Sequence, residues 1–300
     1  MPVTLDWLGC ATFRLVIDDL VVFLDAYMDR VPSAPPVGLS ARDVDRADYV
    51  LVGHSHFDHI AGAEVIAQNT GATVIGSHES ARVLRGVGVP EEQLWRSQGG
   101  EHWRLSPKVT VRVYPSLHSC VWASAFPKAD EVALGQYGLT QDQRVRSRGL
   151  GDVIRDELGT GSDQAREMRE HLATALGSSS DGGALAYVIE TPYGAIFYQD
   201  TSGCWTGVLR DIRPDVAILA AAGRGNIDGE PIQGSLAQFV AREVDLLRPR
   251  RIVLGHHDNW MPPVTREGGT DTTPIREELA RVYPRGELME MGYLEGREIL

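Results

Sequence analysis

Residues 54–59 read His-Ser-His-Phe-Asp-His and lie between an apolar run, Tyr-Val-Leu-Val at 49–52, and a predicted helix at Ile60–Gln68. Three of the nine histidines of the chain and one carboxylate thus occur within six residues. On an extended segment, side chains two positions apart point the same way, so His54 and His56 should face one site. Neutral imidazoles and carboxylates are ligands of divalent metals. The alternative interpretation is a polar loop that is rich in histidine by chance. The stretch therefore predicts a metal site at the end of a buried strand.

Strand and helix patterns alternate along the rest of the chain. Runs rich in β-branched and aromatic residues at Thr4–Leu8, Phe13–Ile17 and Leu20–Leu24 predict an opening meander. Later apolar runs alternate with amphipathic segments such as Gln233–Leu247, which predicts an α/β sandwich. Residues 123–183 depart from this pattern because they are charged, rich in Gly and Ser and mostly helical in periodicity. They predict a helical insertion, either a lid over the site or an ordinary surface excursion.

Composition restricts the kind of partner. The 300 residues carry 29 Lys and Arg against 41 Asp and Glu, a formal net charge of −12. Binding to nucleic acid or to an anionic membrane needs cationic patches, so this charge argues against both kinds of partner. The chain shows no secretory signal pattern and no apolar run long enough to cross a bilayer, and its three widely spaced cysteines predict no disulfide framework. We expect a cytoplasmic protein, and a homo-oligomer is left open.

The motif and its surroundings resemble the metallo-β-lactamase superfamily, whose HxHxDH signature is matched by residues 54–59. The opening stretch WLGCATFRLVIDDLVVFLDAY at 7–27 is similar to the first hairpin of that family. Three further stretches follow in the order of the family: YPSLHS at 114–119, IFYQDTSG at 196–203 and IVLGHHDNW at 252–260. The resemblance implies a four-layer αββα sandwich made by residues 1–300 as a single domain, with 123–183 as a helical lid insertion.

The resemblance also implies a ligand set for two metal ions. His54, His56 and His118 would hold one ion, Asp58, His59 and His256 would hold the other, and Asp200 would bridge them. Such a set leaves each ion an open position for a shared water. Two zinc ions are expected, with manganese or iron as alternatives. Asp58 and Asp200 are then the catalytic carboxylates, which orient a metal-bridging hydroxide and relay its proton.

Several neighbours of these ligands are candidate supporting or substrate-binding residues. His256 and His257 are adjacent, so either can be the last ligand, and the likeness of HHDNW to endings in the family favours His256. Asp25 is implied to support the metal-binding histidines from behind, while His257, Asp258 and Trp260 are candidates for support or for substrate contact. Other aromatic residues near the loops suit a pocket or the core equally: Trp122, Phe126, Tyr137 and Trp205. Arg144, Arg146 and Arg148 suit either a clamp for an anion or a solvated helix face.

The predicted reaction is hydrolysis of a lactone, ester or amide-type bond in a small molecule. This substrate class follows from resemblance to members related to L-ascorbate-6-phosphate lactonase and to N-acyl-phosphatidylethanolamine phospholipase D. The alternatives are a phosphodiesterase, either phospholipase D-like or a nuclease, and an iron-dependent oxidoreductase of the same fold. Flavodiiron members of the fold have glutamate where this chain has His56, which argues against that kind of oxidoreductase. A scaffold without activity would be expected to lack ligands, and none of the seven is missing here.

Overall fold

The computed structural model describes residues 2–123 and 127–300, so Phe126 lies outside the described residues. The strands are β1 (Thr4–Trp7), β2 (Phe13–Ile17), β3 (Leu20–Leu24), β4 (Tyr49–Leu51), β5 (Thr73–Ser77), β6 (Leu94–Ser97), β7 (His102–Arg104), β8 (Thr110–Pro115), β9 (Leu185–Thr191), β10 (Gly194–Gln199), β11 (Gly203–Cys204), β12 (Val216–Ala220), β13 (Asn226–Ile227), β14 (Glu230–Pro231), β15 (Arg251–Gly255), β16 (Glu287–Met289) and β17 (Arg297–Glu298). The helices are α1 (Phe57–Ile60), α2 (Ala63–Thr70), α3 (His78–Gly86), α4 (Gln141–Arg146), α5 (Leu150–Leu158), α6 (Asp163–Thr174), α7 (Thr206–Leu209), α8 (Leu236–Leu247) and α9 (Thr273–Val282).

The longer strands form two large sheets. The first has the order β17-β1-β2-β3-β4-β5-β6, and the second has the order β16-β15-β12-β10-β9-β8-β7. The predicted opening meander is present in the first sheet, where β1, β2 and β3 pair antiparallel. From β3 onward the pairing is parallel, as it is from β10 through β12 to β15 in the second sheet. Three short strands, β11, β13 and β14, make a separate small sheet.

Apolar packing divides the fold into four layers. Between the two sheets lies one core, in which Leu15 of the first sheet shares a cluster with Tyr187 and Ile218 of the second. The outer face of the first sheet packs against α2 and α3, and the outer face of the second packs against α8 and α9. Each sheet therefore buries both faces, one against the other sheet and one against helices. The predicted αββα sandwich is confirmed.

The predicted helix at Ile60–Gln68 is wrong in its bounds. The chain forms two helices here, Phe57–Ile60 and Ala63–Thr70, with a break at Gly62. Gly62 has a φ of 100°, and a Cβ at this position would lie 2.5 Å from the carbonyl oxygen of Ala26. Glycine meets both demands, since it adopts positive φ without steric cost and lets two backbone segments approach closely. The break places the last residues of the motif on their own short turn.

The stretch at 123–183 contains three of the helices, α4, α5 and α6. Leu158 of α5 and Met168 of α6 are buried in a cluster with Tyr27 and Trp260. Helices α5 and α6 thus pack against the end of the sandwich that carries the HxHxDH motif. No helix in the described ranges is long and apolar enough to span a membrane.

Candidate metal centre

The candidate ligands gather at one edge of the sandwich because each follows the carboxyl end of a strand. Asp25 follows β3 and His54 follows β4 by a few residues, and these two strands are parallel. His118 follows β8, Asp200 follows β10 and His256 follows β15 in the second sheet. Strands β10, β12 and β15 are parallel, and β8 runs in the same direction because both β8 and β10 pair antiparallel with β9. The topology therefore converges the candidates from residues 25 to 256 on one site.

The first cluster consists of His54, His56 and His118, and one ring nitrogen from each lies within 4.8 Å of the others. His54 Nε2 is 3.1 Å from His56 Nδ1, and the ring centroid of His118 is 4.7 Å from each of the other two. His118 Nδ1 donates to the carbonyl of Ser119 at 3.0 Å, which turns Nε2 toward the cluster. Burial lowers the pKa of all three, that of His118 to about 4. The rings are therefore neutral at physiological pH, the state that binds metal.

The second cluster brings together Asp58, His59, His256 and Cys10. Asp58 Oδ2 lies 3.3 Å from the Nε2 atom of both histidines, and those two nitrogens are 3.2 Å apart. Cys10 is not among the candidate ligands predicted from the sequence. Its thiol also donates to the carbonyl of Asp58 at 3.3 Å, and burial raises its pKa. The available signal was its position in the loop after β1, at the same edge of the sheet.

Asp200 touches one histidine of each cluster. Its Oδ2 is 2.6 Å from His54 Nδ1 and 3.3 Å from His59 Nδ1. Its Oδ1 is buried and has no hydrogen-bond partner in the described part of the chain. Gly53 makes this placement possible, because a Cβ there would lie 2.1 Å from Asp200 Cγ. Asp200 therefore lies between the clusters, and its bridging of two ions stays a prediction.

Three carboxylates, those of Asp25, Asp58 and Asp200, surround His59. Burial opposes protonation of His59, but these carboxylates together hold its pKa well above the ordinary value. Within the described ranges no Lys or Arg forms an ion pair with any of the three. Burial and Asp25 also raise the pKa of Asp200, so the anions repel one another. Three buried carboxylates with no Lys or Arg partner, together with neutral imidazoles in the first cluster and an unpartnered Asp200 Oδ1, fit divalent cations.

Asp25 contacts the second cluster from the side away from the cavity. Its Oδ2 lies 2.6 Å from His59 Nδ1, and its Oδ1 accepts a bond from the backbone N–H of Gly53 at 2.8 Å. Asp25 has a φ of 53°, in the left-handed region that costs most residues energy, and it is fully buried. One carboxylate thus both orients the ring of His59 and holds the backbone at Gly53, directly before the motif.

We expect Asp25→Ala to weaken metal binding by about 10- to 100-fold, because His59 loses the partner that fixes its tautomer and orientation. Titration of the metal-free protein with zinc in competition with a chelator measures this change. Asp215→Ala is the matched control, since Asp215 accepts a backbone bond from Ala195 and is no member of the described clusters. Equal zinc affinity in Asp25→Ala and the unaltered protein would contradict the role of Asp25.

The structure brings His256 into the site and leaves His257 outside it. His256 has a φ of 63° and donates its backbone N–H to Cys10 O at 2.6 Å, which turns its ring toward Asp58. His257 stacks on Trp7 instead, with ring centroids 4.6 Å apart and planes at 16°. In the described structure His257 belongs to neither cluster.

His256→Ala and His257→Ala should therefore behave differently. Loss of His256 removes a ring from the second cluster, so bound metal should fall by about one equivalent, with little hydrolytic activity left. His257→Ala removes a stacked ring, and we expect it to keep the metal content of the unaltered protein while losing about 1 kcal/mol of stability. Metal analysis of the two purified variants decides between them, and the opposite pattern would make His257 the ligand.

The carboxylate of Asp258 accepts hydrogen bonds that hold the loop after β15 in place. Its carboxylate accepts bonds from Arg30 Nη1 at 2.5 Å, from the Tyr293 hydroxyl at 2.6 Å and from the backbone N–H of Cys10 at 3.0 Å. This network ties Cys10 to the loop that carries His256. Asp258 is thus placed to support the second cluster through the backbone.

A cavity of about 310 Å³ opens directly onto both clusters. Candidate ligands in its lining are His56, Asp58, His59, His118 and His256. Of the predicted aromatic residues whose structure is described, Trp260 lines this cavity, whereas Trp122, Tyr137 and Trp205 do not. The arginines do not line it either: Arg144 pairs with Glu230 and stacks on Trp122, and Arg148 pairs with Asp156.

The chain has relatives of matching length. A family model described as a β-lactamase superfamily domain matches residues 21–137. A protein of Pyrobaculum arsenaticum named a metal-dependent hydrolase is 29% identical over 286 residues, which cover 92% of each chain. The metallo-β-lactamase fold protein YhfI from Bacillus subtilis superposes with a TM-score of 0.52 at 12% identity, covering 99% of each chain. The family model, the relatives and the shared fold confirm the predicted resemblance to the metallo-β-lactamase superfamily.

Two further solved structures share the fold of this chain. Igni18, a metallo hydrolase from Ignicoccus hospitalis, aligns with a TM-score of 0.61 at 17% identity over 99% of this chain and 97% of its own. CmlA, a diiron β-hydroxylase from Streptomyces venezuelae, aligns with a TM-score of 0.57 at 14% identity over 98% of this chain and 53% of its own. Together the matches confirm the predicted superfamily and the predicted enzyme class, a metal-dependent hydrolase.

Proposed function

We propose that this chain is a dinuclear zinc-dependent hydrolase that opens a lactone, ester or amide-type bond in a small molecule. One observation carries the proposal: two clusters of ligand atoms meet at Asp200, which contacts His54 of the first and His59 of the second. A donor set divided in this way suits two ions rather than one. Imidazole nitrogens outnumber carboxylates in it, which favours zinc, while manganese and iron accept the same ligands.

Bound divalent ions would supply a hydroxide nucleophile near neutral pH and polarise the scissile bond. The residues of the chain prepare that chemistry. Asp58 lines the cavity, where its carboxylate can orient a nucleophile and accept its proton. Asp200 is fully buried behind the histidines and positions their rings. Around the metal site, apolar groups including Phe57, Trp260 and Met261 exclude water from the space that a substrate would occupy.

Two competing functions use the same donor set. A phosphodiesterase would gain from cationic side chains around the phosphate, but among the described residues no Lys or Arg lines the cavity. An oxidoreductase is suggested by the fold it shares with CmlA, which is named a diiron hydroxylase. Neither has a feature of the cavity in its favour.

Metal analysis of the purified protein tests the proposal, combined with a substrate panel of lactones, carboxylic esters, amides and phosphodiesters. We expect about two equivalents of zinc and turnover in one of the first three classes. Less than one equivalent of any divalent metal, with no activity after reconstitution, would overturn it. Two equivalents of iron with substrate-dependent oxygen consumption would replace the hydrolase by an oxidoreductase.

Residues 123–183 are part of the same proposal as a lid over the site. Its support is that Leu150, Gly151 and Ile154 of α5 form one wall of the cavity. The single domain at 1–300, the cytoplasmic location and a homo-oligomeric state stay predictions.

A further inference from the structure

The outer wall of the cavity is apolar. It is formed on one side by Leu150 and Ile154 of α5 and on the other by Trp260 and Met261 of the loop after β15. The ring of Trp260 stands nearly perpendicular to that of His256, with centroids 4.9 Å apart. One face of the cavity thus carries the candidate ligands, and the facing wall offers carbon atoms. A molecule reacting at the metal face would extend an apolar part toward α5.

Charge is lacking from this wall. In the described lining the single carboxylate is that of Asp58, a candidate ligand, and no Lys or Arg is present. Nearby Arg30 is held by Asp258 at 2.5 Å, and its side chain is 3% exposed. Arg266 lines the adjoining cavity on the far side of Trp260. On the α5 side of the wall an ionised group would lose its water and meet no counterion, at a cost of several kcal/mol. The wall therefore selects an uncharged extension.

The wall is also fixed in place. The backbone N–H of Leu150 donates to the carbonyl of Val121 at 2.7 Å, and a Cβ on Gly149 would lie 2.1 Å from that same oxygen. At the other end of α5, Leu158 is buried against the cluster that contains Tyr27 and Trp260. A wall anchored at both ends gives the cavity a definite depth. At about 310 Å³ the cavity holds the volume of roughly ten waters.

We propose that the substrate carries an uncharged, linear or lightly branched apolar chain, which lies between α5 and the Trp260–Met261 segment, and that α5 sets the longest chain accepted. The inference rests on the proposed hydrolase function and narrows its substrate to apolar acyl esters or lactones with an apolar side chain. The whole bound molecule is limited to roughly ten non-hydrogen atoms inside the cavity. Ile154 is a residue that determines specificity in this scheme, since it lines the cavity from the middle of α5.

The test uses the zinc-loaded protein and methyl esters of linear acids with two to ten carbons, each paired with an ester whose chain ends in a carboxylate. For the neutral series, kcat/KM should rise about fourfold per methylene until the cavity is full, and then fall. Each carboxylate-ended ester should be at least about tenfold slower than its neutral match. Ile154→Ala should move the optimum to longer chains. Ile154→Arg should reverse the preference in favour of the carboxylate-ended esters.

Val153→Ala is the control. Val153 lies on the same helix and packs against the cluster that contains Tyr27 and Trp260, but it does not line the cavity. We expect it to keep the chain-length optimum of the unaltered protein. Calorimetric titration with linear alkanols gives a readout without turnover, and affinity should increase with length and weaken in Ile154→Arg.

The outcomes separate the inference from the function. Ester hydrolysis that is independent of chain length, or fastest for the carboxylate-ended esters, would overturn the apolar chamber and leave the hydrolase standing. No hydrolysis of any ester, lactone or amide, with alkanols still bound in a length-dependent way, would overturn the hydrolase and support the apolar wall of the cavity.

Discussion

Asp200→Asn should abolish turnover, with kcat/KM lowered by at least about 1,000-fold and bound metal reduced from about two equivalents to less than one. The carboxylate lies 2.6 Å from His54 Nδ1 and 3.3 Å from His59 Nδ1, so one change affects both clusters. Asn keeps the size that fits beneath Gly53 but removes the negative charge. The loss would then report electrostatics and ligation rather than a packing defect.

Metal content by elemental analysis and kcat/KM on the best panel substrate measure this effect. Asp215→Asn is the matched control, since Asp215 makes a backbone hydrogen bond to Ala195 but belongs to neither cluster in the described structure. Thermal unfolding shows whether the Asp200 variant is folded. A folded Asp200→Asn protein with two equivalents of metal and undiminished turnover would refute the placement of Asp200 between two ions.

Removal of the metals should have the second large effect, on stability as well as on activity. Without cations, Asp25, Asp58 and Asp200 face one another at full burial, with His59 as the group that offsets their charge. Ions at 1,000 times their dissociation constant stabilise the folded state by about 4 kcal/mol. For a chain of this size we expect chelation to lower the melting temperature by roughly 10 °C and to remove all activity.

Thermal unfolding before and after dialysis against a chelator checks the prediction, and added zinc should restore both properties. The Asp200→Asn protein provides an internal comparison, because it has already lost most of its metal and should respond little to chelator. Unchanged melting and activity in protein shown to be free of metal would mean that the clusters serve neither purpose.

The candidate ligands could be named from the sequence because each lies close to the end of a predicted strand. Their binding of metal stays a prediction. Residues 54–59 are recognisable because they hold three histidines and an aspartate. His118, Asp200 and His256 each follow an apolar run that forms a strand. What the order along the chain could not decide was the choice between His256 and His257. That choice depends on a left-handed backbone at His256 and on the ring of Trp7, which comes from the other end of the chain.

The contribution of Cys10 and the break at Gly62 were missed for a related reason. Both depend on how closely separate backbone segments approach, which periodicity does not report. Cys10 reaches Asp58 because Asp258 binds its backbone N–H from 248 residues away. Short strands such as β13 and β17 were missed as well, since two residues carry no alternation and their pairing is set by tertiary contacts.

Each of the two sheets contributes some of the residues of the candidate metal centre. The first sheet supplies Asp25 and the 54–59 motif, and the second supplies His118, Asp200 and His256. Metal ions held there would link the two sheets, because each ion site takes ligands from both. The metal content of a preparation would then count the molecules whose sheets are correctly docked. A substitution far from every ligand that lowers metal content would thus reveal a defect in sheet assembly, which gives a simple quality measure for any variant library of this fold.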